Sequence, residues 1–200
     1  MHQLDYRALL KSHQLPLALT LIALLIAGSG DMIQHAMRFD RDAINAGQWW
    51  RLITANLAHL GWSHTALNVV GLALIWGLLW QSFSTKSWAI ISLISSLTVT
   101  LGLYYLNPSL HWYVGLSGLL HGLFIAGVIG SLRSGDKRDL ILLIAIIAKL
   151  AWEQFSGPMP GTAEMAGGPV IVDSHLYGAI GGFVIAFLVK PQRRARTPFH

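Results

Sequence analysis

The chain has 200 residues, of which 54% are hydrophobic and only 12% are charged. Its mean hydropathy is +0.53, so it has too few polar side chains to cover its own surface, and lipid must cover much of it. It contains no cysteine, which excludes disulfides, a thiolate nucleophile and a cysteine-ligated metal. The net charge of +5 comes from basic residues scattered between apolar segments, which is typical of a membrane protein and argues against a nucleic-acid partner.

Six apolar segments approach the roughly 20 residues that a transmembrane helix needs. Several are shorter, which predicts tilted helices or a locally thinned bilayer. We therefore predict an all-α, polytopic membrane protein with a single domain over residues 1–200: a short N-terminus at 1–14, six helices within 15–189 and a basic tail at 190–200. The predicted helices cover residues 15–33, 65–81, 87–106, 117–132, 140–155 and 174–189.

Lysine and arginine set the orientation of these helices. They concentrate on one side of the predicted bundle, which the positive-inside rule assigns to the cytoplasm. Both termini are then cytoplasmic, and helices two, four and six run inward from the outer side. A cleavable signal peptide ending near Ala27-Gly28-Ser29 is an alternative for the first helix, and its removal would leave the rest oriented as before. The basic residues on the predicted inner side are Arg7, Lys11, Lys86, Arg133, Lys137, Arg138, Lys190, Arg193, Arg194 and Arg196.

Polar residues gather at the outer ends of the predicted helices. Helices two, four and six each begin with one, namely His64, Ser117 and His175. Lys149 is the one basic residue within a predicted helix, and it can snorkel to the surface or pair with Glu153 one turn further on. Because a polar side chain in hydrocarbon is costly unless it is paired, several of them at one depth indicate a functional site.

Ser117 lies between two glycines at the start of helix four. A serine hydroxyl becomes a nucleophile when a neighbouring base removes its proton, and the free backbone N–H groups of a helix start can stabilise an oxyanion. Gly115 and Gly118 carry no side chains and so permit a close approach of a substrate backbone. The alternative is that Ser117 only caps its helix, a position in which serine is common.

His175 offers a base for that proton. It is followed at i+3 and i+7 by Gly178 and Gly182, and helix four carries Gly118 and Gly122 at the same spacing. Small residues at this spacing let membrane helices approach closely, which would bring the histidine within reach of the serine. No acid near it in the sequence is placed to orient the imidazole, so a dyad is predicted rather than a triad. The alternative is a histidine bonded to a backbone carbonyl, with glycines that serve packing alone.

His64 and Asn68 are spaced i, i+4 and share a face at the outer end of helix two. Both can donate a side-chain hydrogen bond, which a developing tetrahedral oxyanion requires in a low-dielectric site. The alternative is interhelical hydrogen bonding that only holds the bundle together. His59, just upstream, is expected to support the loop.

These residues occur in a characteristic order. Trp50-Arg51-Leu-Ile-Thr54 comes first, then the polar residues of helix two, then Gly115-Leu-Ser117-Gly118, and last the histidine and glycines of helix six. In this order, across nearly the whole chain, they resemble the rhomboid family of intramembrane serine proteases.

The resemblance implies a six-helix rhomboid core with Ser117 as the nucleophile and His175 as the general base. His64, Asn68 and the backbone N–H of Ser117 would form the oxyanion hole. No metal and no cofactor are expected. The implied location is the bacterial inner membrane, with the active site facing the periplasm.

The resemblance also implies how two loops are arranged. Trp50 and Arg51 would lie in a large structured first loop, partly embedded in the outer leaflet. The Gly/Pro-rich stretch at 157–169 would be the fifth loop, a mobile cap over the site.

One departure from the family pattern is informative. Many bacterial rhomboids have a tyrosine one turn after the serine, whereas this chain has Gly-Leu-Ser-Gly-Leu-Leu-His121-Gly. This variant resembles the rhombosortases, a compact branch associated with secreted proteins that carry a C-terminal Gly-Gly-type tail, a transmembrane segment and a basic end. Substrates of that kind, met in the lipid bilayer, are what the resemblance implies. His121 is expected to stack against His175 as the tyrosine would, and the alternative is that it acts as a second base.

Other functions stand as alternatives. A general rhomboid protease would cut ordinary transmembrane helices. A haem or metal protein could use His64, His121 and His175, but it leaves the serine motif unexplained, and the His-Glu-x-x-His motif is absent. An inactive rhomboid-like scaffold usually lacks the serine or the histidine, and a transporter would need more intramembrane charges than this chain has.

Overall fold

The computed structural model describes residues 6–192, with side chains from residue 13 onward. The tail residues Arg193, Arg194 and Arg196, and the side chains of Arg7 and Lys11, lie outside the described part.

The described part is mainly helical, with almost no sheet. The helices are α1 (Tyr6–Gly28), α2 (Asp31–Met37), α3 (Arg41–Asn45), α4 (Arg51–Thr54), α5 (Trp62–Leu79), α6 (Thr85–Leu106), α7 (Ser117–Arg133), α8 (Leu140–Ser156), α9 (Thr162–Ala166) and α10 (Val172–Leu188), with single 3₁₀ turns at Trp80–Ser82 and Lys137–Asp139 and two strands, β1 (Phe39–Asp40) and β2 (Trp112–Tyr113).

The first helix ends earlier than its composition indicated. The hydroxyl of Ser29 donates to the carbonyl oxygen of Ile26 at 2.7 Å. Gly30 then has a φ of 84°, which glycine adopts without strain and a continuing helix does not contain. The prediction of one helix over residues 15–33 was therefore wrong, because the apolar composition continues across a break that a serine and a glycine create.

Within the residues that the structure describes, two helices are long and apolar enough to cross a membrane by length and composition. These are α6 and the combination of α5 with the turn after it, Trp62–Ser82. Three further apolar helices in the described part are shorter, at His13–Gly28, Ser117–Arg133 and Val172–Leu188. The count of six spans therefore stays a prediction.

Helix α7 lies at the centre of the fold and packs against α5, α6, α8 and α10. Most of its residues are buried. Its closest neighbour is α10, where glycines face each other: a Cβ on Gly178 would overlap the carbonyl oxygen of Gly118, and one on Gly182 would overlap that of Gly122. The close contact that the glycine spacing predicts is thus present, and it depends on the absence of side chains.

The segment between α2 and α5 is anchored to the end of α6. Strand β1 pairs antiparallel with β2, and Arg51 is buried while its neighbour Trp50 is exposed. Both residues therefore lie in a structured first loop. Arg51 donates to the side chain of Gln48 and to the carbonyl oxygens of His35 and Arg38, and Arg41 donates to the carbonyl oxygens of Leu103, Tyr104, Asn107 and Leu110.

Candidate active site

Ser117 is the first residue of α7, and its hydroxyl faces α10. The N-cap position before it is held by Leu116, so Ser117 does not serve as the cap. Its Oγ lies 3.0 Å from Nε2 of His175, which stands in the first turn of α10. The glycine contact between the two helices allows this distance, because bulkier residues would hold the helices apart. The structure thus brings together the serine and histidine that the sequence paired.

Glu153 provides the acid that the sequence analysis did not find. Its Oε2 lies 2.9 Å from Nδ1 of His175, and the carboxylate is only 2% exposed. The expectation of a dyad without an orienting acid was therefore wrong in its geometry. Of the two alternatives that the sequence left for Lys149, pairing with Glu153 is present at 2.7 Å. Spacing along α8 gave no reason to expect the same carboxylate to contact α10.

The contacts of His175 fix which of its nitrogens carries the proton. A carboxylate can only accept a hydrogen bond, so Nδ1 carries a proton and donates it to Glu153. In the neutral imidazole Nε2 then holds the lone pair and accepts from the hydroxyl of Ser117. This is the tautomer that a general base for the serine requires.

His121 lies one turn after Ser117 and stacks on His175. The ring centroids are 4.1 Å apart and the planes differ by 15°. Nδ1 of His121 is 2.7 Å from the carbonyl oxygen of Ser117, and Nε2 is 2.9 Å from Nζ of Lys149. Since a carbonyl only accepts, Nδ1 donates and Nε2 receives a hydrogen bond from the lysine. Both nitrogens of His121 are engaged away from the serine hydroxyl.

The donor set of this network can be compared with that of a metal site. The ligating atoms of His121, Glu153 and His175 lie within 4.8 Å of one another. Lys149 already stands within hydrogen-bond distance of two of these groups and supplies the positive charge that the buried carboxylate needs. All four ring nitrogens of the two histidines have protein partners, so the network is satisfied without a bound cation and does not favour bis-histidine haem ligation.

His64 presents a hydrogen-bond donor beside the serine. Its Nδ1 accepts from the backbone N–H of Leu60 at 3.3 Å, so in the neutral ring the proton is on Nε2. A Cβ built on Gly115 would lie 3.2 Å from this Nε2 and 3.8 Å from Oγ of Ser117. The Nε2–H therefore faces the turn from which the serine projects.

Asn68 lies one helical turn after His64 and is 4% exposed. Its side-chain NH₂ group has no hydrogen-bond partner among the described residues. A buried donor without a partner costs about 1–3 kcal/mol, so its presence calls for an explanation. The same face of α5 packs against α7, since a Cβ on Gly71 would lie 3.1 Å from Cδ1 of Leu120. The donor is thus placed on the side of α5 that meets the serine helix.

The turn before Ser117 is fixed by Gly115. Its φ is 138°, which other residues rarely adopt. Its N–H donates to the carbonyl oxygen of Ala55 at 3.1 Å, and its own carbonyl accepts from the hydroxyl of Tyr113 at 2.7 Å. Burial raises the pKa of Tyr113 to about 12, so this hydroxyl stays protonated and remains a donor. These bonds fix the turn that leads into Ser117 at the start of α7.

His59 supports the loop before α5, as the sequence indicated. Its backbone N–H donates to the side chain of Gln34 at 3.0 Å, and its Nδ1 lies 3.0 Å from the carbonyl oxygen of Leu57. Burial, together with the neighbouring His64, lowers the pKa of His59 to about 4. The ring is therefore neutral at neutral pH and adds no charge beside His64, whose ring centroid is 5.1 Å away.

The Gly/Pro-rich stretch at 157–169 contains the short helix α9. Close to its end, a Cβ on Gly168 would lie 2.8 Å from Cδ1 of Leu60, and one on Gly167 would lie 3.5 Å from Oγ of Ser63. The stretch thus covers the start of α5, next to His64. Sequence reasoning did not predict a helix here.

The fold and the site together define a class of protein: a helical membrane protein with a serine, a histidine and a carboxylate joined in series at the ends of three helices. The Rhomboid domain family matches residues 46–192, and the chain belongs to the rhomboid family. It is similar to the "Putative rhomboid protease YdcA" of Bacillus subtilis (strain 168), with 27% identity over 150 residues, which cover 75% of this chain and 72% of that protein. Family and relative support a rhomboid-type intramembrane protease.

Proposed function

We propose that the protein is a serine endopeptidase that cleaves transmembrane substrates near the outer face of the bacterial inner membrane. The observation that carries the proposal is the 3.0 Å contact between Oγ of Ser117 and Nε2 of His175, with Glu153 on the other ring nitrogen. This is the arrangement of a nucleophile, a base and an orienting acid.

The proposed reaction begins when Ser117 attacks the scissile carbonyl and His175 takes the hydroxyl proton through Nε2. Glu153 holds the ring in the required tautomer and stabilises the imidazolium that forms. The oxyanion receives hydrogen bonds from Nε2–H of His64, the NH₂ group of Asn68 and the backbone N–H of Ser117. His175 then gives the proton to the leaving amine, and a water molecule, deprotonated by the same ring, hydrolyses the acyl-enzyme. No metal and no cofactor take part.

The proposed topology has six spans, with both termini in the cytoplasm and the site toward the periplasm. It is supported by the distribution of lysine and arginine. Helix α7 is short for a span, but the neighbouring helices enclose it, so little of its length has to match the hydrocarbon. The first loop, with exposed Trp50 at its surface, would rest in the outer leaflet, and the 157–169 stretch would move aside to admit a substrate.

The substrates we propose are exported proteins with a C-terminal Gly-Gly-type tail and a transmembrane anchor. His121 in place of the tyrosine supports the rhombosortase branch. Glycines next to the cleavage site would help a substrate helix to unwind, because glycine disfavours helix by about 1 kcal/mol relative to alanine. Co-expression with such a tailed protein should shorten its C-terminus. Intact tails together with cleavage of ordinary membrane helices would favour the general rhomboid alternative.

The nucleophile is tested by labelling with a fluorophosphonate probe. Wild type should react, whereas Ser117→Ala and His175→Ala should not, because the first lacks the nucleophile and the second the base. His121→Ala should retain labelling, although more slowly. Undiminished labelling of Ser117→Ala would disprove the assignment, and labelling lost in His121→Ala but kept in His175→Ala would make His121 the base.

A further inference from the structure

Lys149 links the two stacked histidines to each other through a closed ring of contacts. Its Nζ lies 2.7 Å from Oε1 of Glu153 and 2.9 Å from Nε2 of His121. Glu153 continues to Nδ1 of His175 at 2.9 Å, and this histidine reaches the hydroxyl of Ser117. Nδ1 of His121 lies 2.7 Å from the carbonyl oxygen of Ser117. Both histidines that Lys149 connects therefore contact Ser117, one at its hydroxyl and the other at its carbonyl oxygen.

A simple helix-stabilising pair would not produce this geometry. Lysine and glutamate at i, i+4 attract each other on many helices, and the gain is only about 0.2–0.5 kcal/mol. Such a pair usually faces solvent, whereas here the carboxylate is 2% exposed. Nζ of Lys149 also contacts His121 on α7, and a pair that only stabilised α8 would not need this second contact.

The charge of Lys149 matters for the state of the proposed base. A buried carboxylate without a counter-charge is costly, and an imidazole in contact with it would become the counter-ion by holding a second proton. His175 would then lack the lone pair that the serine hydroxyl needs. With the ammonium in contact, the carboxylate is compensated, and His175 can stay neutral in the tautomer described above.

The same ammonium acts on His121. Since Nδ1 of His121 donates to the serine carbonyl, Nε2 holds the lone pair of that ring, and Lys149 donates to it. His121 is thereby prevented from accepting a proton in competition with His175. Among the described residues, His64 on α5 is a further titratable group that interacts with His175.

We propose that Lys149 is a positioning residue of the protease: it compensates Glu153 and occupies the lone pair of His121, so that His175 is the free base. The proposal rests on the proposed function, in which Ser117 and His175 perform the chemistry. Lys149 itself does not touch substrate. Its effect is therefore expected on kcat and not on KM, because the substrate is bound by other parts of the molecule.

The test measures kcat and KM of purified, reconstituted variants on one transmembrane substrate. Lys149→Met should lower kcat about 100-fold, the scale expected when catalytic groups are misaligned, with KM unchanged. Lys149→Arg should recover a large part of kcat because it keeps the charge. Lys86→Met, at an exposed lysine of α6 remote from the site, is the matched control and should behave as wild type.

The double variant Lys149→Met/Glu153→Gln separates positioning from plain structural support. If Lys149 acts by compensating the carboxylate, it has nothing to compensate once residue 153 is glutamine, and the double variant should lose little more kcat than Glu153→Gln alone. A double variant about 100-fold slower than Glu153→Gln would show that Lys149 acts independently of the carboxylate, and the proposal would be overturned. A Lys149→Met variant with wild-type kcat would overturn it as well.

Two controls distinguish failure of this inference from failure of the proposed function. Activity that persists in Ser117→Ala refutes the proposed function itself. An inactive Ser117→Ala together with a fully active Lys149→Met refutes only the role of Lys149. Should Lys149→Met fail to fold, the comparison passes to Lys149→Arg and the double variant: equal loss of kcat in both would contradict the proposal.

Discussion

The two ends of α7 both meet α10 through polar groups, but the groups are of different kinds. At the inner end, Arg133 donates to the carbonyl oxygens of Ala186 and Val189, and Ser134 donates to that of Gln192. Every acceptor there is a backbone atom. At the outer end the contacts of Ser117 and His175 run from side chain to side chain, and they continue to Glu153 and Lys149.

The inner end of α7 therefore has a structural role, whereas the outer end carries the candidate active site. Backbone carbonyls are available at any helix end, so the inner contacts satisfy orphan groups and fix the position of the helices. The outer contacts leave a lone pair on His175 in contact with a movable proton, and a buried donor on Asn68 without a partner. In the middle of the interface, facing glycines hold the two regions in register. Substitutions in the middle, at the outer end and at the inner end of the interface should therefore have different effects.

The largest effect is expected from Gly178→Ala, in the middle of the interface. The new Cβ would overlap the carbonyl oxygen of Gly118, which is backbone and cannot rotate away. We expect a loss of about 3 kcal/mol in the free energy of unfolding and loss of activity, because the serine and histidine separate. Thermal unfolding in detergent and probe labelling measure the two effects. Gly77→Ala is the matched control, since a Cβ there meets nothing within 4 Å; equal stability of the two variants would contradict the packing argument.

Asn68→Ala acts on the outer end and should separate activity from stability. Removing a donor to the oxyanion costs about 10²–10³ in kcat. Stability should not fall by the usual amount for a buried polar residue, because the NH₂ group that is removed has no partner in the folded protein. Kinetics and thermal unfolding on the same preparation check both statements. A variant that loses stability and keeps its kcat would place Asn68 among the structural residues.

Arg133→Met acts on the inner end and should lower stability while leaving activity unchanged. Losing the bonds to two carbonyl oxygens should lower the free energy of unfolding by about 1–3 kcal/mol, while kcat per folded molecule stays as in wild type. Arg138→Met is the control, because that arginine is also exposed but forms its ion pair, within the described residues, with Asp136 two residues away rather than with another helix. A drop in kcat for Arg133→Met, with the fraction folded unchanged, would mean that the two ends are coupled.

Spacing along single helices predicted much of this arrangement. The glycine repeats predicted the α7–α10 contact, and i, i+4 spacing offered Glu153 as a partner of Lys149. These features follow from helix geometry, which the sequence carries locally. The oxyanion roles of His64 and Asn68, which share a face by the same spacing, stay predictions. The pairing of Ser117 with His175 followed once two helix starts were placed at one depth.

The contact between Glu153 and His175 could not be predicted in the same way. It depends on how α8 is rotated about its axis relative to α10, and that rotation is set by packing with α7 rather than by the residues near Glu153. The sequence did contain one signal. Glu153 lies near the outer end of an apolar helix, at the depth of the histidines, and burying its carboxylate there is so costly that more than one partner is expected. The helix break at Ser29 and Gly30 and the short helix α9 were missed because composition alone does not mark them.

The most direct test of the central claim is cleavage of a transmembrane substrate by the purified protein in liposomes. Wild type should cut the substrate within or next to its membrane segment, and Ser117→Ala, with the same thermal stability, should produce no cleavage over the same time. Cleavage that continues in the Ser117→Ala protein at the wild-type rate would contradict the account.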